Sequence, residues 1–111
     1  MKYVALIYGD PDGWEAVPED EQQRVMERYM ALAREPVTVG GDQLQDADTA
    51  TTVRVRDGET LTTDGPFTKT KEQLGGYYLI DCASLDEALE FAARIPAAER
   101  GAVEVRPLVE R

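Results

Sequence analysis

The chain has 111 residues, 42% of them apolar, and 22 acidic against 12 basic side chains give it a formal net charge of −10. That size fits one domain over residues 1–111, while the acid excess argues against nucleic acid and anionic membrane surfaces as partners. Histidine is absent and Cys82 is the only cysteine, so imidazole-based nucleophile systems, imidazole metal ligands and an internal disulfide are excluded, and no metal or cofactor is expected.

Lys2 to Tyr8 alternates Tyr3, Ala5 and Ile7 on one face with Val4, Leu6 and Tyr8 on the other. Both faces are apolar, which predicts a strand covered on both sides. The run is too short for a signal peptide or for the ~20 residues of a membrane span, so a cytoplasmic protein is the expectation. Gly9 to Gly13 reads as a turn, and Trp14 as a lid over an edge of the core. Glu19 to Glu35 is a predicted helix, opened by Pro18 and three acidic residues that complement its positive end. Val25, Met26, Tyr29, Met30, Leu32 and Ala33 form a stripe at helical spacing, read as core.

Val37 to Leu44 reads as a second strand, with a bulge or close approach at Gly40-Gly41. A polar loop over Asp42 to Ala50 leads into Thr51 to Arg56, which alternates cleanly. Asp57-Gly58 and Glu59 to Thr63 then complete a hairpin signal. Asp64-Gly65-Pro66-Phe67 follows as a restrained turning loop, with Phe67 expected to bury its ring against the sheet. Tyr77 to Cys82 reads as a strand, buried on both faces by the unbroken apolar run from Tyr77 to Ile80. Ser84 and Glu87 make a capping box for a second helix, whose buried stripe is read as Leu85, Ala88, Leu89, Ala92 and Ile95 before Pro96 ends it. Val103 to Pro107 closes the chain as an edge strand. Cys82, with no basic neighbour to activate it, reads as a small core residue.

Leaving the hairpin aside, this order is the split β-α-β repeat of an α+β, ferredoxin-like antiparallel sheet. Two helices cover one face of such a sheet. The doubly apolar first and fifth strands therefore ask for cover on the other face, and a second copy of the chain, a homodimer, is the economical answer.

Five separated blocks carry a resemblance: Tyr3 to Gly9, Thr49 to Gly58, Thr63 to Phe67, Thr70 to Ile80 and Val103 to Pro107. Together they resemble the YCII-related proteins, and specifically their DGPF-domain branch. The resemblance implies a dimeric α/β-barrel, relatives that include cofactor-free isomerases, lyases and monooxygenases, and an association with sigma-factor regulation. It implies no established activity. Lys69 stands where the branch usually has an acid, and the His–Asp pair proposed for the broader group has no histidine here.

Asp64, Tyr8 and Lys71 are the candidate site residues. Asp64 is either a general base beside a dry pocket or a turn-former accepting backbone N–H bonds. Tyr8 is a hydrogen-bond donor to a ligand or a core tyrosine, and Lys71 marks an anion site or a solvated surface. Two functions follow from the same cavity at the Asp64 loop. One is a non-catalytic binder of a small molecule that senses it or partners a transcription-regulatory protein. The other is a cofactor-free enzyme, of isomerase, lyase or dehydrochlorinase type, with Asp64 as base. The absence of histidine and of a metal cluster favours the first.

Overall fold

The structure is a computed structural model that describes residues 1–111. Six strands are formed: β1 (Lys2–Gly9), β2 (Thr38–Gln43), β3 (Thr51–Arg56), β4 (Glu59–Asp64), β5 (Gln73–Asp81) and β6 (Ala102–Pro107). Four of them pair antiparallel in the order β2-β5-β1-β6. The two strands that are apolar on both faces, β1 and β5, are central, and the proline-ended β6 is an edge. The result is a mixed α+β fold on one antiparallel sheet, as the alternation pattern predicts.

Cross-strand register sorts the side chains into two faces. Tyr3 opposes Ile80 and Ala5 opposes Tyr78 on the helix-covered face, while Val4 opposes Leu79 and Leu6 opposes Tyr77 on the other. Glu104 and Arg106 of β6 continue the second face beside Leu6 and Val4. The helix-covered face holds the core. Tyr3, Ala5, Leu32, Tyr78, Ile80, Cys82, Ala88, Phe91 and Ile95 cluster there, with Val103 and Val105 packed against them. Tyr78 meets Phe91 edge-on at 5.5 Å between ring centres, a favoured aromatic geometry.

Four helices accompany the sheet: α1 (Pro11–Glu15), α2 (Glu19–Ala33), α3 (Leu85–Ala93) and α4 (Ala97–Arg100). None is long and apolar enough to cross a membrane. The segment read as a plain turn forms α1, because Asp10 accepts a bond from the Asp12 N–H at 3.0 Å and Pro11 is preset for the first helical position. At α3 the predicted cap is present, with Ser84 Oγ accepting from the Glu87 N–H at 3.3 Å. The Glu87 carboxylate accepts in turn from the Ala83 N–H at 2.9 Å. The stripe of α3 is a correction: Leu85 and Leu89 are about half exposed, and Phe91 is buried with Ala88, Ala92 and Ile95. The alanines let α3 approach the sheet closely, and that rotates Phe91 inward. The stripe of α2 is corrected too. Only Leu32 is buried, while Met30 is 51% exposed, because the helix rides over a cleft rather than flat on the strands.

β3 and β4 form a separate two-stranded ribbon. Its turn residues Asp57 and Gly58 both take positive φ, at 52° and 79°, as a tight hairpin needs. Val53, Val55 and Leu61 along the ribbon are exposed. The arm stretches the molecule: the radius of gyration is 15.9 Å, where a compact chain of this length has about 13 Å.

Candidate functional site

The larger concavity is a cleft of about 750 Å³ between α2 and the sheet. Met26, Tyr29 and Met30 project from α2 into one wall, and Ile7 and Tyr78 face them from β1 and β5. Trp14 of α1 lines the cleft beside the N-terminal part of α2, where its carbonyl accepts from Gln22 Nε2 at 3.0 Å, and is 38% exposed. Tyr78 donates to the Tyr29 carbonyl at 2.7 Å, which ties the sheet to the helix across the interior. Burial pushes the Tyr78 phenol up to about 12, and burial also raises Tyr29, partly offset by a hydrogen bond with the Ala97 backbone. Neither phenol supplies a proton readily, so they serve as hydrogen-bonding walls.

Two ion pairs join α2 to α4 along the rim. Arg28 reaches Glu99 at 2.6 Å and Arg100 reaches Glu21 at 2.7 Å. Arg28 holds the Glu99 carboxyl below the usual carboxylate range. These pairs are solvent-exposed and contribute little to stability. Their consequence for the cleft is that two of its arginines are already satisfied. Its interior offers thioether, aliphatic and aromatic surface, the setting for an apolar ligand.

The second concavity, about 650 Å³, lies where the loop after β4 meets the base of the arm. Tyr8, Leu44 and Leu74 line it together with Pro66, Phe67 and Thr70. Thr52 Oγ1 donates to the Gly65 carbonyl at 2.8 Å and the Gly65 N–H donates to the Ala50 carbonyl at 2.7 Å, fixing the loop on the arm. Gly65 takes φ of 104°, a conformation that favours glycine. The expected burial of Phe67 is corrected. Its ring is 71% exposed and stacks under the Arg54 guanidinium at 4.8 Å from the ring centre. The loop leans on the arm, which has no core of its own to bury a ring in.

The three candidate residues fall in three places. Tyr8 is half-buried in the second concavity beside the Pro66-Phe67 loop. Asp64 is exposed at the end of β4, paired through its backbone with Thr51, and is among the lining residues of neither concavity. Lys71 is 86% exposed, with its Nζ 4.0 Å from Asp10 on the rim of the larger cleft. No group of three or more Cys, Asp or Glu side chains converges with metal-holding geometry. Cys82 is buried, with Sγ 3.5 Å from the Ser84 carbonyl.

Sequence reasoning missed the larger cleft because a helical stripe of methionine and tyrosine has the same pattern whether it packs on a sheet or roofs a cavity. One signal was present. The glycines around the cleft, at Gly9, Gly13, Gly41, Gly75, Gly76 and Gly101, outnumber those anywhere else in the chain.

Comparison with known proteins gives a family and a fold. The family described as the YCII-related domain matches residues 1–111. An uncharacterized protein of Rhizobium meliloti (strain 1021) is 46% identical over 114 residues, covering 97% of this chain and 92% of that one. A solved structure of 5-chloro-2-hydroxyhydroquinone dehydrochlorinase from Burkholderia phenoliruptrix AC1100, in complex with 2,5-dihydroxybenzoquinone, superposes with a TM-score of 0.53. It covers 100% of this chain and 96% of that one at 16% identity, a likeness of fold.

Proposed function

The chain belongs to the YCII-related family, and from that premise we propose that it binds a small, predominantly apolar molecule in the cleft between α2 and the sheet. The observation that carries this reading is the exposure of Met26 and Met30 into a concavity of about 750 Å³, within the size range of small-molecule sites. Side chains of a helix that had only to cap the sheet would close on it. Native mass spectrometry against a metabolite mixture should find one bound molecule per chain. Met30→Trp, which fills the cleft, should abolish it. Retention of the same ligand by the filled variant would overturn the reading.

A catalytic role is the second reading. It draws on the dehydrochlorinase fold likeness and on the concavity where Tyr8 meets the Pro66-Phe67 loop. Here Asp64 would be the base, Tyr8 or Lys71 the electrophilic partner, and loop movement would have to carry the carboxylate inward. Turnover of a carbonyl compound that is lost in Asp64→Asn would favour it over simple binding.

Two further proposals concern assembly. The helix-free face carries Val4, Leu6, Tyr77 and Leu79 in adjacent rows, and a second copy stacked on it would make the dimeric barrel. Light scattering should then give twice 12.3 kDa, and a species of 12.3 kDa at micromolar concentration would refute it. Asp64-Gly65-Pro66-Phe67 supports placement in the DGPF branch, and with it a sigma-factor partner. A two-hybrid assay against such factors tests that, and no interaction is the contrary result.

A further inference from the structure

The Trp14 end of the larger cleft is built differently from the rest of it. Met26 and Met30 are flexible and fill space along α2, whereas the far end presents one exposed indole with no aromatic ring paired against it. Beside it lie two glycines that packing does not explain. A Cβ at Gly9 would meet nothing within 4 Å, and at Gly13 only the Asp10 Cβ at 4.0 Å. Neither residue has positive φ. Gly101 and Gly41 contrast with them, since a Cβ there would come within 2.2 Å and 2.5 Å of a carbonyl oxygen. Glycine inside a strand or helix weakens the element, and where no neighbour forbids a side chain it leaves the backbone open to close approach from outside.

The polar groups at this end add a preference. Asp10 Oδ1 accepts from the Asp12 N–H, while Oδ2 has only Lys71 nearby, at 4.0 Å. That oxygen is free to accept a further hydrogen bond. The arginines that line the cleft, Arg24, Arg28 and Arg100, are each paired with a carboxylate, Asp42 also lines it, and the chain as a whole is strongly acidic, so an anion is disfavoured there.

Resting on the binding role given above, we propose that the Trp14 end of the cleft is a subsite for a neutral, hydroxylated planar ring. The ring stacks on the indole, lies over the bare backbone of Gly9 and Gly13, and donates its hydroxyl to Asp10.

Trp14 is the single tryptophan, so its indole N–H signal reports on this place alone. Para-cresol, toluene and para-toluate, matched in ring and differing in the polar group, are titrated while that signal is followed. Para-cresol should shift it saturably, toluene more weakly, and para-toluate not at all. Gly9→Ala and Gly13→Ala, whose new methyls clash with no protein atom, should melt no lower than the parent yet bind para-cresol at least threefold more weakly. Asp10→Asn, which keeps the helix cap, should narrow the difference between para-cresol and toluene. Unchanged para-cresol binding in both alanine variants, with binding lost in Met30→Trp, would overturn the subsite and leave the cleft reading standing. A Trp14 signal that no probe shifts saturably would overturn the subsite as well. If native mass spectrometry also finds no molecule in the parent, the cleft reading falls with it.

Discussion

The sheet-and-helix body and the β3–β4 arm are both antiparallel ladders, yet they hold their strands together by different means. In the body, β1 and β5 pair along most of their length and also bury Tyr3, Ala5, Tyr78 and Ile80 beneath α3. In the arm the pairing is equally regular from Thr51–Asp64 to Arg56–Glu59, but all six residues of β4 are exposed. Backbone pairing and turn chemistry suffice to shape a hairpin; burial is what stabilises it, and an isolated ribbon is marginal in water. The arm is also less acidic than the body. Thr51 to Lys71 carries four basic against three acidic side chains, and the acid excess lies elsewhere. An extended ribbon with exposed Val53, Val55 and Leu61 is suited to contact with another surface.

Substitutions on the two sides should separate widely. Phe91→Ala removes a ring that is 2% exposed and touches Tyr78, and should cost about 3–5 kcal/mol in denaturant unfolding. A cost under 1 kcal/mol would mean the body is no better packed than the arm. Alkaline titration sharpens the contrast, because the Tyr78 phenol is raised to about 12 by burial. A raised value in the fold means that its contribution is complete below the ordinary phenol value of about 10 and is lost as the pH climbs toward 12. Stability should fall across that window by no more than about 1.4 kcal/mol per pH unit from this group. Tyr78→Phe should flatten the slope, and an unchanged slope would assign the loss to other residues.

Smaller effects come at the edges. Ser84→Ala deletes the oxygen that receives the Glu87 N–H and should cost about 1 kcal/mol, read as a lower denaturant midpoint at constant slope. Phe67→Ala should stay within about 0.5 kcal/mol of the parent, since its ring is 71% exposed and touches one guanidinium. A loss of several kcal/mol there would show that the loop is buried in solution, against a partner or a second copy.

Much of this architecture was legible in residue order. Alternation found the strands, Asp57-Gly58 found the hairpin, Ser84 with Glu87 found a helix start, and apolarity on both faces placed β1 and β5 at the centre. The departures share a cause. Leu85 and Leu89 share one helical face, as do Ala88, Phe91, Ala92 and Ile95, and periodicity cannot choose between two stripes on one helix. Closeness of approach chose the alanine-rich one. Asp10-Pro11 is a readable helix start, but Gly13 and a length of five residues disguise it as a turn. The cleft was harder still, because whether Met26 and Met30 meet strands or empty space depends on how α2 sits over the sheet. The loop after β4 was located correctly, but where Phe67 points depends on an arm that offers no interior.

The molecule is a slab, with extents of 44 × 43 × 19 Å. One sheet under one layer of helices uncovers less new surface on melting than a sphere of equal mass. Calorimetry should therefore give a heat-capacity step below the roughly 1.3–1.7 kcal/mol/K usual for this length. If a second slab seats on the bare side, unfolding becomes dissociation too, and the melting temperature will climb with concentration. A dilution series in the calorimeter thus measures how much of the fold belongs to one chain and how much to two.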